Sequence, residues 1–281
     1  MKFVESNSAK LNTTKTAPYI TFPVLSNLDY IKHGFTTRLG GVSEGYYQSM
    51  NLSYSVGDEK ERVDANYRIM CDSLGIRFED VVATHQVHKT NVRLITKEDR
   101  GKGLYLPRDY EEIDGFVTNT PNIPLATFYA DCVPLLFVDT KKHAIGLSHS
   151  GWRGTVGKMG KATIDAMKAY FHTDPLDVIA VIGPSICKDC YEVDQTVYEE
   201  FERTFDSYEL SQIITKSVTA SDKYQLNLWE ANKQILVREG LQDKNIHICG
   251  VCTSCNEELL FSHRASKGKR GTLAAFLMLE S

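Results

Sequence analysis

The sequence predicts one mixed α/β domain, and three observations predict it. Short apolar runs rich in β-branched and aromatic residues alternate with segments whose apolar positions recur at helical spacing. No composition shift, linker or fixed-period repeat divides the chain. At 281 residues, 42% of them hydrophobic and 24% charged, the chain can bury a sizeable core.

The elements follow in order. Residues 1–17 are polar and read as a loosely held arm, leaving 18–281 as the domain. Tyr19–Val24 and Lys32–Thr37 read as strands. Next comes TTRLGG, where Gly40-Gly41 asks for a tight turn or a close backbone approach. It is either a hairpin loop or a loop that presents Arg38 and backbone amides to an anion. Residues 51–58, beginning at Asn51, continue it. Asp58 is read as the N-cap of a helix through Leu74, with Val63, Tyr67, Met70 and Leu74 on one face, Cys71 as a buried thiol, and Gly75 as the stop. Val81–Thr84 and Val92–Thr96 are short strands flanking HQVHKTN, which carries His85 and His88. Residues 97–111 are charged and Gly/Pro-punctuated, an exposed loop.

Asp114–Thr118 and Pro124–Tyr129 are strand-like and lead to the stretch that organises the chain, ADCVPLLFVDTKKHAIGLSHSGWRGTVGKM. Two buried strands, Pro134–Asp139 and His143–Ser148, flank a Lys141-Lys142 turn. In an antiparallel hairpin the start of one strand lies beside the end of the next, so Cys132 and His149 come together, which suits a shared metal. HSGWRG then opens a helix, Val156–Phe171, whose first amides favour an anion. Asp177–Ile182 is a buried strand, Gln195–Phe205 and Leu228–Glu239 are helices, Asn245–Cys249 is a strand, and Leu273–Leu279 closes the chain.

A net charge of −4 gives no support for a nucleic-acid surface. There is no apolar leader near Met1 and no run of eighteen apolar residues, so neither export nor a membrane span is indicated, and the expected compartment is the cytoplasm. Its seven cysteines are then expected to be mostly reduced.

The motifs QVH, ADCVPLL, HSGWRG, IGPSI-C and CTSCNE-LFSHR together resemble the YfiH/YlmD group, the multicopper polyphenol oxidase (laccase) domain family that also includes mammalian FAMIN. The resemblance runs from about Thr21 to Leu279. It implies a single α+β domain, with mixed β-sheets sandwiched between helices in α-β-β-α layers. It also implies a zinc ion held by His88, Cys132 and His149, with His85 outside the ligand set. The implied activity is purine nucleoside phosphorolysis, with adenosine, inosine and S-methyl-5′-thioadenosine as candidate substrates and adenosine deamination alongside. The older laccase name implies Cu²⁺ and phenol oxidation. Lys89 stands where the family commonly has a small residue. The family's C-terminal Gly-Arg appears as Gly271-Thr272 with Arg270 just before it, so no anion-binding role carries over to that arginine.

Independent chemistry agrees with a metal. Donors of N, N and S type leave tetrahedral zinc one open position, the pattern of a catalytic site. Arg153 and Arg38 are candidate phosphate holders, with Asn51 in the same substrate-binding group. Asp131 beside Cys132 is a candidate for proton transfer or for orienting a ligand, alternatively a hydrogen-bond acceptor for backbone. Together with Arg153 it completes the catalytic candidates. The other readings are a Cys132–His149 hydrolase acting on an amide such as a cell-wall precursor, a copper oxidase, and a non-catalytic thiol metal-binding module. The last rests on Cys249, Cys252 and Cys255 with Cys187 and Cys190, which alone would suggest a cluster or structural zinc. Because the resemblance puts the metal elsewhere, these read instead as buried thiols, free or close by chance.

Overall fold

The computed structural model describes residues 2–13, 16–218, 220 and 222–281. In chain order the strands are β1 (Lys10–Asn12), β2 (Tyr19–Thr21), β3 (Ile31–Thr36), β4 (Val82–Ala83), β5 (Val92–Leu94), β6 (Gly115–Thr118), β7 (Leu125–Tyr129) and β8 (Val133–Asp139). They continue with β9 (Ala144–Ser150), β10 (Val178–Ile182), β11 (Glu192–Asp194), β12 (Ile214–Lys216), β13 (Lys223–Leu226), β14 (Ile246–Ile248) and β15 (Leu273–Leu279). The α-helices are α1 (Pro23–Ser26), α2 (Lys60–Leu74), α3 (Trp152–Val156), α4 (Met159–Phe171), α5 (Gln195–Thr204), α6 (Ser207–Ile213) and α7 (Leu228–Arg238).

There are two six-stranded mixed sheets, ordered β1-β2-β3-β15-β7-β4 and β14-β10-β8-β9-β6-β5, and a separate small sheet, β11-β13-β12. The alternation of side chains along each strand shows the layering. Leu136 and Val138 of β8 meet Leu273, Ala275 and Leu277 of β15 in a core between the sheets. On the opposite face of β8, Leu135 and Phe137 pack with Ile164 and Met167 of α4 and Leu236 of α7. Ala274 and Phe276 of β15 turn the other way, onto Val63, Tyr67 and Met70 of α2. The result is a single α+β domain in α-β-β-α layers. Because both faces of the central strands are covered, β8, β9 and β15 are buried throughout, which is why their sequences read as continuous apolar runs.

Several boundaries differ from expectation for identifiable reasons. Asp58 does not cap α2. Its carboxylate accepts from Ser43 Oγ and Asn51 Nδ2, and Glu59 takes the cap position. The helix expected over 156–171 begins only at Met159, because Lys158 adopts a left-handed φ of 63° and separates it from the short helix α3. Strand β2 stops at Thr21 because Pro23 opens α1. The 97–111 segment is not simply exposed. Asp99 is buried and bonded to Arg93 and Lys102, and Tyr110 is buried against Phe116. Within the polar 1–17 segment, β1 pairs antiparallel with β2. Helix α6, with its Asp206/Glu209 capping box, and the three-stranded sheet were not anticipated. Among the described residues, no helix is long and apolar enough to cross a membrane.

A candidate metal centre at the open end of the β8–β9 hairpin

Strands β8 and β9 pair with Val133 opposite Ser150 and Pro134 opposite His149. Cys132 and His149 therefore stand side by side, as the hairpin predicts. His88 reaches them from the loop between β4 and β5. The ligand atoms of His88, Cys132 and His149 all lie within 4.8 Å of one another. His88 Nε2 is 4.0 Å from Cys132 Sγ, and the two imidazoles meet edge-on with centroids 4.8 Å apart. His85 stays outside, its Nδ1 accepting from the Glu112 amide.

The carboxylate that organises this centre is Asp114, at the edge of β6. Its Oδ1 accepts from His149 Nδ1 at 2.9 Å and from the His88 amide at 3.0 Å. Its Oδ2 accepts from the amides of Val87 and Lys89. One fully buried side chain thus fixes the His149 ring and the backbone of the loop that carries His88. With Nδ1 committed to Asp114, His149 turns Nε2 toward the sulfur. Gly151 keeps the space clear, since a Cβ there would meet Cys132 Sγ at 2.9 Å and His88 Cδ2 at 3.2 Å. His88 and Asp131 both hold left-handed φ values, 63° and 91°, a cost that the surrounding bonds sustain.

Burial alone would raise the Cys132 thiol. The charge of His149 and the hydrogen bonds from His149 and His88 outweigh burial and bring it down to about 6. Burial likewise works to lower His149, but the Cys132 and Asp114 charges lift it to about 9. The sulfur is thus set up as a thiolate, the form that binds metal. His149 is buried, Cys132 half-buried and His88 exposed, so the donor set opens to solvent on one side. This Cys/His group could bind a metal ion, and N, N and S donors on an open rim fit a three-ligand zinc-type centre.

The other expected residues divide. Arg153 is exposed, with its guanidinium stacked 4.2 Å over the Trp152 ring, and among the described residues no carboxylate lies within ion-pair distance of it. Asp131 does not orient a histidine. Its carboxylate accepts from Thr253 Oγ1 and from the Arg264 amide, both at 2.7 Å, anchoring two distant loops beside Cys132. Arg38 is clamped by bonds to the carbonyls of Gln48 and Glu257 and stacks on Phe261. Asn51 is fully buried, bonded to Ser53, Asp58 and the Thr272 amide. Both serve the loop they lie in.

Two further arginines lie by the centre: Arg270, to which no anion-binding role carried over, and Arg264, which the sequence did not single out. Arg270 is half-buried and feels the charges of Asp131 and Cys132. Its Nη1 donates to Thr272 Oγ1, while its buried Nε has no partner among the described residues. The two-residue offset from the family's arginine therefore does not remove a cation from this place. Arg264 stacks over Tyr191, a phenol that feels the charges of Cys132, Asp131, Arg264 and Arg153. The signal for Asp114 was chemical rather than positional, because a ligand histidine needs an acceptor for its second nitrogen.

The remaining cysteines divide, all of them free thiols. Cys249 is buried in the core between the sheets, apart from the others. Cys187, Cys190, Cys252 and Cys255 converge, their sulfurs within 4.8 Å of one another.

A thiolate–imidazole donor set on the rim of a two-sheet α+β domain defines a protein with one open, metal-competent centre. The chain belongs to the family described as "Multi-copper polyphenol oxidoreductase laccase", whose model matches residues 32–280, and with it to the YfiH/YlmD group. It is 36% identical over 248 residues to "Purine nucleoside phosphorylase YlmD" of Bacillus subtilis, covering 87% of each chain. To "Purine nucleoside phosphorylase" of Bacteroides thetaiotaomicron it is 34% identical over 277 residues, covering 96% of this chain and 99% of the other. The crystal structure of YlmD from Geobacillus stearothermophilus superposes with a TM-score of 0.89 at 31% identity, covering 98% and 100% of the two chains.

Proposed function

We propose that the protein is a zinc-dependent purine nucleoside phosphorylase. It would convert adenosine, inosine and related nucleosides, with phosphate, to the free base and ribose 1-phosphate, with adenosine deamination as a side activity. The observation that carries this reading is the open His88–Cys132–His149 donor set with Arg153 and Arg270 near it. The names borne by the Bacillus and Bacteroides relatives support the same substrate class.

Zinc, when bound, supplies a Lewis acid with one open coordination position. The chain's own residues do the rest. Asp114 holds His149 in one tautomer and one orientation. Asp131 fixes the loop that carries Cys132. Arg153, free of carboxylate partners among the described residues, offers a planar fork to a phosphate, and the unpartnered Arg270 Nε offers a further donor. Holding phosphate against the sugar supplies orientation, and the guanidinium charges offset the negative charge brought in with the nucleophile. Deamination at C6 of adenine needs water instead and makes no call on the phosphate holders. Polyphenol oxidation by several coppers would need more histidines, and among the described residues only His88 and His149 converge.

The test is to incubate metal-analysed protein with inosine and adenosine, with and without phosphate. Base release that depends on phosphate is expected. Equal release without phosphate, or none in either case, would overturn the reading.

A further inference from the structure

We propose a second metal site, a closed structural zinc centre formed by Cys187, Cys190, Cys252 and Cys255. Two Cys-x-x-Cys pairs supply it. Cys187 precedes and Cys190 ends a single turn, Lys188–Cys190, while Cys252 lies just before another, Ser254–Asn256, which contains Cys255. The turns follow β10 and β14, which run parallel as neighbours, and a bridge between Ser185 and Cys252 extends that pairing up to the cysteines. Parallel pairing brings the ends of two strands to the same edge of the sheet, so cysteines far apart in sequence meet there.

The geometry suits one ion. Tetrahedral coordination at a zinc–sulfur distance of about 2.3 Å sets sulfur–sulfur separations of about 3.8 Å. Cys190 and Cys255 sulfurs are 3.5 Å apart, and those of Cys187 and Cys255 are 3.9 Å apart. All four are free thiols, well beyond disulfide bonding distance. A four-iron cluster, in which each thiolate binds a different iron, needs its sulfurs more widely spaced. The amides of Cys187 and Cys255 both donate to Cys252 Sγ, at 3.2 and 3.4 Å, an arrangement that stabilises a thiolate. Cys252 and Cys187 are buried and the other two half-buried, and all four positions are thiols. A tetrathiolate of this kind has no vacant position for substrate, which assigns it to structure and not to catalysis.

Its purpose follows from what the two turns hold. Thr253, inside one pair, donates to Asp131 Oδ1, and the Ile186 amide, just before the other, donates to the Asp131 carbonyl at 3.0 Å. Asp131 precedes Cys132 and holds a left-handed conformation. The tetrathiolate would pin both loops that pin Asp131, and through it the sulfur of the open centre. It stands apart from the function proposed above and is tested separately.

Protein purified without added metal should contain about two zinc ions per chain. Cys190→Ser/Cys255→Ser should contain about one, as should Cys132→Ala, which empties the open centre instead. As a readout that does not depend on the folding of the double variant, the Cys132→Ala protein should also be stripped and loaded with cobalt. Intense visible absorption of a tetrahedral cobalt tetrathiolate is expected. One zinc in the wild type that disappears in Cys132→Ala would overturn the proposal, as would an iron-coloured protein, a Cys190–Cys255 disulfide in the mass spectrum, or no thiolate-to-cobalt band.

Discussion

Asp114 Oδ1 lies 2.9 Å from His149 Nδ1, and the same oxygen takes the His88 amide. One carboxylate oxygen thus serves two elements that share no strand pairing. Asp114→Asn keeps the shape but cannot accept on both sides of its carboxamide. Zinc affinity at the open centre should fall about 10- to 100-fold. Competition with a chelator measures it, and an unchanged affinity would show that the histidine is held by other means.

Arg153→Lys replaces a planar fork with a point charge. The KM for phosphate should rise roughly tenfold, the scale of one charge-assisted hydrogen bond. Zinc content should stay constant, and deamination should fall much less than phosphorolysis. Both reactions are measured on one preparation, and equal losses would sink the phosphate role.

Gly151→Ala tests the space between the ligands. The added methyl would meet Cys132 Sγ at 2.9 Å and His88 Cδ2 at 3.2 Å. Overpacking of this kind costs about 1–3 kcal/mol. Here it falls on the ligand geometry, so metal loading should suffer while the melting temperature of the metal-free protein barely moves. A variant that loads zinc normally would mean the ligands have room to part.

His33 provides a pH test away from the metal. Burial lowers it to about 4, and the Phe22 amide donates to its Nε2 at 2.8 Å. The unfolded chain binds the proton more readily, so this contribution is complete above the ordinary value of 6.5 and is lost as pH falls toward 4. Stability should drop by about 3 kcal/mol across that window. Denaturant unfolding of wild type and His33→Gln at several pH values checks it. The two should converge in acid, and parallel pH profiles would refute the assignment.

What could be read from the chain was local. The β8–β9 hairpin and its pairing of Cys132 with His149 followed from two apolar runs and a lysine turn. The face of α2 followed from Val63, Tyr67, Met70 and Leu74. The rest depended on contacts remote in sequence. Nothing near Asp114 announces that His149 will lie beside it. The four cysteines meet only because β10 and β14 are neighbours, a pairing that no sequence spacing encodes. The break at Lys158 puts the left-handed φ on a lysine, although the neighbouring Gly157 caps α3. Arg270 misses the family register by two positions, yet its side chain feels the charges of Asp131 and Cys132.

Strand β15 lies between β3 and β7, with Ala275 opposite both Phe35 and Thr127. During synthesis β3 emerges early and waits, one of its edges unfilled, until almost everything else has been translated. Its partner on that edge is the last of the described strands to leave the ribosome. For most of translation the first sheet is therefore two separate pieces exposing Phe35, Leu125 and Ala126. A chain stopped shortly before Leu273 would retain every ligand of both centres and still lack the strand that joins those pieces. Such a product should be cleared by proteolysis or aggregate, although none of its metal-binding residues is missing.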